Sequence, residues 1–380
     1  MTMKTPERKT FLVRGARSWR LAVDRVEAFV TCDGGHLAPV TFHTAAGKVR
    51  PYSIAPWARD EVPQGAPAVL NSLRGDFFCA PFGGNAVAWR GERHPLHGES
   101  ASGLWKLVSC RSSAGGAVLV AEMTTQLRPG KVIKRVGLRT GETNVYCLHE
   151  LVGMRGPMCL GHHATLRFLS PGRISLSPWR YGQVSPLAFE NPAQGGYSAL
   201  KVGAVFADLR KVPLADGGTA DLTRYPAREG YEDLAMVCAD IGPKLAWTAV
   251  AFPEERYVWF AIKDPRKLAS TVMWHSNGGR HYPPWNGRHR HVLGLEEVTA
   301  YFAFGQAESA APNPVSRRGI PTVLKLDPRA PLRVPYVMGI AAIPKSFDSV
   351  RRVGFHRDHI VLHSASGQSV RQPIDLSFFQ

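Results

Sequence analysis

The sequence predicts an all-β protein with few short helices. Short runs of Val, Ile, Leu, Tyr, Phe and Thr are interrupted at close intervals by turn-forming residues, with 37 Gly and 29 Pro among 380 residues. No long stretch has apolar residues at helical spacing, and the strand-like runs do not alternate with helical ones as in proteins with parallel sheets. We therefore expect antiparallel sheets joined by turns and loops.

The clearest single element is a β-hairpin over residues 131–154. The runs VIKRVGLRT and VYCLHELVGM, whose apolar side chains recur near every second position, flank the turn segment Gly141-Glu142-Thr143-Asn144. Further strands are predicted for ALKVGAVFADL, LAMVCADI, AWTAVAFP, YVWFAIK, VLGLEEVTAYFAF and HIVLHSAS. The hairpin leads directly to the segment that contains His163.

The length suits one large domain or two ordinary ones. Residues 307–319, AESAAPNPVSRRG, are polar and contain two prolines, which fits either a linker or a loop within one domain. Apolar runs such as YVMGIAAI continue beyond this segment. We expect N-terminal strands over residues 1–70 that pack on a main domain of residues 71–306, and C-terminal strands over residues 307–380 that belong to the same domain.

The composition indicates a soluble, cytoplasmic protein. Apolar residues make up 44% of the chain, which is enough for a substantial core. The first twenty residues are charged and lack the apolar core of a secretion signal, and no window approaches the roughly 18 apolar residues of a membrane helix.

The six cysteines lack CxxC pairs and the dense spacing of a disulfide scaffold, so we expect reduced, mostly buried thiols.

The formal net charge of +17 could concentrate an anionic small molecule or a polyanion. The basic residues are dispersed, in isolated pairs such as Arg210-Lys211, Arg317-Arg318 and Arg351-Arg352. No helix-turn-helix, zinc-finger or RNA-recognition signature accompanies them. A generally basic, solvated surface is therefore favoured, and association with nucleic acid is kept as a third functional possibility.

One carboxylate and two histidines occupy settings that could carry chemistry. Glu296 ends the apolar run VLGLE, where partial desolvation would make it a base near neutral pH, although a satisfied strand-end carboxylate explains the pattern equally well. His163 belongs to a pair of adjacent histidines, of which only one can face a given side of a strand, and isolated buried histidines are commonly structural. His97 precedes Gly98, which lets the backbone bend close to a ligand, and Trp105 offers a flat face for a sugar ring; a turn with a core Trp is the competing explanation. Together the three groups indicate proton transfer between oxygen atoms, without an obvious metal or nucleophile.

A second group of histidines precedes Glu296 in the string MWHSNGGRHYPPWNGRHRHVLGLE. Its members are His275, His281, His289 and His291. Their gaps are irregular and no carboxylate completes a ligand set, so we expect no metal. We favour a loop over a ligand-binding site, with Trp274 and Trp285 as stacking surfaces and Arg280 or Arg288 as contacts to hydroxyls or an anion.

The order of these motifs resembles the aldose 1-epimerase, or galactose mutarotase-like, superfamily over roughly residues 73–304. The matching strings are Pro81-Phe82-Gly83-Gly84-Asn85, His97-Gly98, the His163 segment, Trp274 and Gly294-Leu295-Glu296. They resemble in particular a branch in which a PFG-like string, an HG, a histidine segment and a W…GLEP strand recur. The resemblance implies a β-supersandwich, in which large antiparallel sheets pack face to face, and a sugar bound on a concave face.

The resemblance also implies roles for individual residues. Glu296 takes the position of the base that removes the proton of the anomeric hydroxyl, and His163 that of the general acid that protonates the ring oxygen, on opposite sides of C1. His97 matches a second sugar-binding histidine, Arg74 the arginine that anchors the substrate, and Asp233 a carboxylate that holds sugar hydroxyls. No cofactor is implied.

The expected function is therefore interconversion of aldose anomers at C1, on a sugar that the excess positive charge suggests is acidic or phosphorylated. A carbohydrate-binding protein of the same fold, without turnover, is the alternative. The chain departs from the pattern at three places: Glu297 stands where a proline usually follows GLE, the asparagine commonly found between the hairpin and the histidine is not evident, and His162 occupies a position that is often polar or acidic. The oligomeric state is left open.

Overall fold

The structure is a computed structural model that describes residues 9–45 and 47–380; the first eight residues of the charged N-terminal segment lie outside the described part. Its first strands are β1 (Phe11–Val13), β2 (Ala16–Ala22), β3 (Val26–Thr31), β4 (Leu37–Thr44), β5 (Gly47–Val49), β6 (Phe78–Cys79), β7 (Lys106–Ser113), β8 (Gly116–Thr125), β9 (Gly130–Arg139) and β10 (Asn144–Val152). The next are β11 (Gly156–Met158), β12 (Leu160–Arg167), β13 (Gly172–Leu176), β14 (Trp179–Val184), β15 (Val205–Phe206), β16 (Val212–Pro213), β17 (Thr219–Ala220), β18 (Arg224–Tyr225) and β19 (Tyr231–Ala239).

The remaining strands include several of the most deeply buried ones. They are β20 (Ala246–Phe252), β21 (Tyr257–Lys263), β22 (Ser270–Asn277), β23 (Val292–Thr299), β24 (Leu324–Leu326), β25 (Leu332–Ala342), β26 (Val350–Phe355), β27 (His359–Ser364) and β28 (Ser369–Pro373). Helical structure in the described residues is confined to α1 (Gln306–Ala310) and to the short 3-10 turns Ala68–Asn71, Glu99–Ala101, Pro192–Gln194, Leu209–Lys211, Ser316–Arg318 and Leu376–Phe379.

Two large antiparallel sheets form the centre of the fold. One has nine strands in the order β18-β13-β20-β21-β25-β10-β9-β8-β7, and the other has seven in the order β15-β14-β19-β22-β23-β12-β6. The prediction of an all-β fold of large antiparallel sheets with few short helices is thus confirmed. The predicted hairpin is also confirmed, because β9 and β10 pair directly across the turn that joins them.

Smaller sheets surround this pair. Strands β1 to β5 form a five-stranded N-terminal sheet, β26 to β28 form a three-stranded sheet, and β11-β24 and β16-β17 are two-stranded. Strand β25, from the segment predicted to carry C-terminal strands, is the central strand of the nine-stranded sheet. Buried residues of the five-stranded sheet, such as Phe42, belong to the same apolar cluster as residues of the two large sheets.

The seven-stranded sheet is buried on both faces. On its inner face, Ala235, Met273 and Leu295 pack in the same cluster as Val136 and Trp259 of the nine-stranded sheet. Burying a Leu or Met side chain is worth about 1.5–3 kcal/mol, so the packing of the two large sheets contributes substantially to stability. The outer face is a second cluster, in which strand residues meet side chains from the connecting segments.

This outer face carries the site described below. Leu234, Val272 and Val298 lie there and pack with Trp57 and Trp285 of the covering segments. Because successive side chains of a strand point to opposite faces, each strand of this sheet contributes alternate residues to the inner core and to the outer face.

The six cysteines are all free; five are buried and Cys110 is exposed. This agrees with the expectation of mostly buried thiols. In the part of the chain that the structure describes, no helix has the length and apolar character required to span a membrane.

Candidate functional site

A cavity of about 250 Å³ lies over the outer face of the seven-stranded sheet. Its polar walls come from His97, His163, Arg280 and Glu296. The other lining residues are Val69, Leu70, Leu73, Gly84, Leu96, Phe189, Leu234, Trp274, Trp285 and Ala303. The volume is just below the about 300–1,000 Å³ of pockets for drug-sized ligands, so it suits one small molecule rather than a polymer.

His163 and Glu296 are direct neighbours in this cavity. They form a register pair between the adjacent strands β12 and β23, and His163 Nε2 lies 3.3 Å from Glu296 Oε1. Cross-strand partners point to the same face of a sheet, so both groups belong to one wall. The expectation that acid and base stand on opposite sides of the reacting carbon is therefore wrong, and a ligand must lie across the pair rather than between its members.

The residues next to this pair point in the opposite direction. His162 Nδ1 lies 2.8 Å from Asp76 Oδ2 on the inner side of the sheet, and the carboxylate of Glu297 pairs there with Lys263. As expected, only one of the two adjacent histidines faces the cavity. Glu297, which replaces the proline of the sequence pattern, lies on the inner face and does not line the cavity.

The glycine of the GLE string leaves room for the carboxylate. A Cβ atom on Gly294 would lie 2.7 Å from Glu296 Oε1 and 3.0 Å from the Cβ of Trp274. A larger residue at position 294 would displace one of these two lining side chains. The absence of a side chain on Gly294 therefore allows the carboxylate of Glu296 to occupy its position.

The ring of His163 is held by stacking. Phe77 lies parallel to it, with ring centroids 4.4 Å apart and an interplanar angle of 18°. Among the described residues, His163 Nδ1 has no hydrogen-bond partner, so the Nε2 contact with Glu296 is the polar contact that its ring makes within the protein. Proton exchange with Glu296 is therefore not opposed by a second fixed hydrogen bond.

His97 is presented to the cavity by the PFG-like string. Its Nδ1 accepts a hydrogen bond from the backbone N–H of Gly83, at 3.3 Å, and its ring is perpendicular to that of His163 with centroids 4.8 Å apart. Gly98 has a φ of +77°, and a Cβ there would lie 2.3 Å from the carbonyl oxygen of Ala80. The glycine thus allows a close approach to the chain itself and not, as the sequence suggested, to a ligand.

Burial shifts the pKa values of Glu296 and His163 in opposite directions. It raises the pKa of Glu296 well above its ordinary value, an effect that the charge of Arg280 partly offsets. It lowers the pKa of His163 well below its ordinary value, and His97 acts in the same direction. Burial thus favours the uncharged form of each group, a protonated carboxyl at Glu296 and a neutral imidazole at His163.

Arg280 forms the polar edge of the cavity. Its Nε donates to Glu190 Oε1 at 2.7 Å, and its guanidinium lies over the ring of Trp285 at 4.4 Å from the centroid. Burial acts to lower the pKa of Arg280, but the carboxylates of Glu232 and Glu190 outweigh it, so the pKa is raised and the group stays charged.

Glu232 supports this edge and was missed by sequence reasoning. Its carboxylate accepts hydrogen bonds from Trp274 Nε1 and Ser276 Oγ, both at 2.8 Å. The sequence reasoning selected its neighbour Asp233, which faces the other side of strand β19. The string YEDLAMV indicates that Glu232 and Asp233 point to opposite faces of a strand. Choosing between these two acids requires knowledge of which face contacts Trp274.

The protonation of Glu232 should appear in the pH dependence of stability. Burial raises its pKa from 4.5 to about 7 against the opposing effects of Arg280, Ser276 and Trp274. The folded state then keeps a proton that the unfolded chain has lost, so stability should fall as pH rises from about 4.5 to about 7, by about 3 kcal/mol in total, and not change further above that range. Urea unfolding of wild type and Glu232→Gln across this range should show that extra fall in the wild type alone. If the free energy of unfolding changes with pH in the same way in both proteins, Glu232 does not have a raised pKa. Glu254→Gln, at an exposed position, serves as the control.

Three residues expected to bind substrate do not line the cavity. The Arg74 guanidinium donates to the carbonyl oxygens of Val13 and Arg14, at 2.9 and 3.1 Å, and so fastens the N-terminal hairpin. Trp105 is buried, and its Nε1 donates to the carbonyl of Ser100. The carboxylate of Asp233 accepts from the backbone N–H groups of residues 199 and 200. Each of these side chains is occupied by contacts within the fold.

The second histidine group is divided among several environments. His275 is buried on the inner face, whereas His289 stacks on Trp274 with centroids 5.3 Å apart. Of the residues expected in a covering loop, Trp274, Trp285 and Arg280 line the cavity and Arg288 does not. In residues 9–45 and 47–380, no group of three or more His, Cys, Asp or Glu side chains is arranged to hold a metal ion.

Comparison with known proteins identifies the fold. No family model and no curated protein matches the sequence. Among solved structures, a galactose mutarotase-like protein from Clostridium acetobutylicum is similar with a TM-score of 0.58 and 12% identity, over 88% of this chain and 98% of that one. A galactose mutarotase related enzyme from Lactobacillus acidophilus has a TM-score of 0.54 and 10% identity, over 86% and 98%.

A third similar structure is that of a candidate aldose 1-epimerase from Escherichia coli K12, with a TM-score of 0.56 and 14% identity over 86% of this chain and 99% of that one. Each of these chains is covered almost completely. At such low identity the likeness establishes the fold, and it confirms at that level the resemblance drawn from the sequence motifs.

Proposed function

We propose that this chain, which has the galactose mutarotase-like fold, is an aldose 1-epimerase that interconverts the anomers of a monosaccharide. The observation that carries the proposal is the contact between His163 Nε2 and Glu296 Oε1 inside a cavity of monosaccharide size. A buried acid and base that share one proton can remove a proton from one oxygen and deliver a proton to another.

The two reacting oxygens of an aldose suit a pair on one wall. The anomeric hydroxyl O1 and the ring oxygen O5 are both bonded to C1, so neighbouring catalytic groups can reach both at once. When the sugar binds, its hydroxyl groups replace lost solvation, and the proton of Glu296 passes to His163 across their contact. Glu296 then takes the O1 proton while His163 gives its proton to O5, and the C1–O5 bond opens.

The remaining steps return the pair to its starting state. Rotation about the C1–C2 bond turns the other face of the aldehyde towards the O5 hydroxyl. Glu296 returns its proton to O1 as His163 takes the proton of O5, and the ring closes as the other anomer. When the sugar leaves, the proton passes back from His163 to Glu296. His97 and Arg280 contact sugar hydroxyls, Trp274 and Trp285 provide apolar faces for the ring, and no cofactor enters any step.

The charges around the cavity favour a neutral aldose. Of the described residues that line it, Arg280 carries the one permanent positive charge, and the carboxylate of Glu190 already pairs with it. The pKa of His97 is lowered to about 3 by burial, which leaves this histidine uncharged at neutral pH. The acidic or phosphorylated sugar suggested by the overall charge would bring its anion close to Glu190 and Glu232, so we expect uncharged hexoses and pentoses to react faster.

Polarimetry of freshly dissolved sugars tests the proposal. The wild-type protein should accelerate the approach of at least one neutral aldose to its equilibrium rotation in proportion to protein concentration, while a heat-denatured sample should not. The panel should include uronic acids and sugar phosphates, for which slower reaction is expected. Saturable sugar binding without acceleration of any panel member would replace the enzyme by a carbohydrate-binding protein of the same fold.

A further inference from the structure

A second cleft carries part of the excess positive charge of the chain. This cleft has a volume of about 780 Å³ and lies between the five-stranded sheet, the end of β12 and the segment that precedes β23. Six arginines line it, and we call it the arginine cleft: Arg14, Arg50, Arg59, Arg167, Arg288 and Arg290. Two carboxylates, those of Glu27 and Asp60, lie among the lining residues. The +17 charge is thus less evenly dispersed than the sequence suggested.

The few carboxylates near the arginine cleft are already engaged. Glu27 pairs with Arg20, Asp60 pairs with Arg288, and Glu229 pairs with Arg290. Within the described residues, the other four arginines of the cleft form no ion pair with a carboxylate. Several guanidinium groups without counter-ions around one concavity create a positive potential that a bound anion would relieve.

The residue type narrows the chemistry of such an anion. The permanently charged cations that line the arginine cleft are all arginines. The planar guanidinium of an arginine donates two parallel hydrogen bonds to the oxygens of a phosphate or carboxylate. The backbone of Arg14 is held in place because the buried guanidinium of Arg74 donates a hydrogen bond to the carbonyl oxygen of Arg14. The volume lies within the about 300–1,000 Å³ range of small-molecule sites, which favours a compact ligand over an extended chain.

We propose that the arginine cleft binds a small molecule that carries at least two phosphoryl groups. This site is separate from the sugar cavity. Trp57, Trp285 and His289 pack together between the two, with ring centroids of Trp57 and Trp285 4.6 Å apart and those of Trp285 and His289 5.2 Å apart. His289 lines the arginine cleft while its ring stacks on Trp274 of the sugar cavity. The proposal does not depend on the catalytic one.

Titration calorimetry with inorganic pyrophosphate tests this site. Wild type should bind one equivalent saturably, and Arg14→Gln/Arg59→Gln and Arg50→Gln/Arg167→Gln should each weaken binding at least tenfold. The matched control is Arg351→Gln/Arg352→Gln, which removes the same charge from exposed positions of the three-stranded sheet and should leave the affinity within twofold. Glu296→Gln should also bind normally, so failure of the catalytic proposal and failure of this one are distinguishable.

Three results would overturn the proposal: no saturable binding, an equal loss in the control variant, or unchanged affinity in both cleft variants. A parallel titration with a duplex oligonucleotide separates a small ligand from nucleic acid. If the oligonucleotide binds through the cleft arginines while pyrophosphate does not bind, the cleft is a nucleic-acid surface and the small-molecule assignment is wrong. Inorganic phosphate, with one phosphoryl group, should bind at least tenfold more weakly than pyrophosphate.

Discussion

Replacement of Glu296 by Gln should lower kcat for anomer interconversion by about 10²- to 10⁴-fold, the usual contribution of one positioned acid–base group. The amide keeps the shape of the side chain but cannot accept the O1 proton or exchange a proton with His163. Because burial already disfavours the charged carboxylate at this position, the substitution should not reduce the free energy of unfolding. The measurement is the exchange rate of one reactive aldose, with urea unfolding recorded on the same samples.

Glu254→Gln is the matched control for this substitution, because Glu254 is exposed and does not line the cavity. Its rate should equal that of the wild type. If Glu296→Gln keeps more than a tenth of the wild-type kcat, Glu296 is not the base. If the KM alone rises, the carboxylate only binds the sugar.

Lys263→Met should lower the free energy of unfolding by about 3–5 kcal/mol, because it leaves the carboxylate of Glu297 buried without its partner. The pair joins the two large sheets: Lys263 ends β21 and Glu297 lies in β23, and both side chains are almost fully buried. Thr271 Oγ1 donates to the same carboxylate at 2.8 Å. The double variant Lys263→Met/Glu297→Leu removes both charges and should recover most of the loss.

Lys131→Met provides the comparison for an exposed pair. Lys131 pairs with Glu122 at 3.5 Å at the surface, where such pairs contribute about 0–1 kcal/mol, so its loss should be small. Urea unfolding measures all three variants. A loss below about 1 kcal/mol for Lys263→Met, or a double variant less stable than the single one, would show that the buried pair does not have this role.

The fold class was accessible from the sequence because it depends on local order, whereas the proposed acid and base were implied by the resemblance of the motif order to a known superfamily. Strand-forming runs separated by turn residues reveal an all-β chain regardless of how its sheets pack. The string VLGLEEVT also indicates that Glu296 and Glu297 point to opposite faces. The side chains that each face contacts depend on strands distant in the sequence, so the pairing of Glu297 with Lys263 could not be predicted. The presence of Glu297 in place of the usual proline is explained only by this pair in the interior of the sandwich.

The polar edge of the cavity shows the same limit more sharply. The sequence pointed to Arg74, which lies near the PFG-like string along the chain but fastens the N-terminal hairpin. It selected Asp233 where the neighbouring Glu232 supports Trp274, because a one-residue difference reverses the face of a strand. Arg280 was predicted, as an alternative to Arg288, in a loop that precedes the strand of Glu296. Arg280 lines the cavity and Arg288 does not, although Arg288 is nearer to Glu296 along the chain.

The most direct test is two-dimensional exchange NMR on a neutral aldose at anomeric equilibrium, where no net reaction occurs. With wild type at micromolar concentration, cross-peaks between the α and β anomeric protons should grow at a rate proportional to protein and far above the uncatalysed rate. The same sample with Glu296→Gln should show only the uncatalysed rate. Two results would contradict the assignment of Glu296 and His163 as the groups that move the proton. In the first, wild type does not enhance the cross-peaks of any sugar that binds; in the second, the Glu296→Gln variant enhances them as much as wild type does.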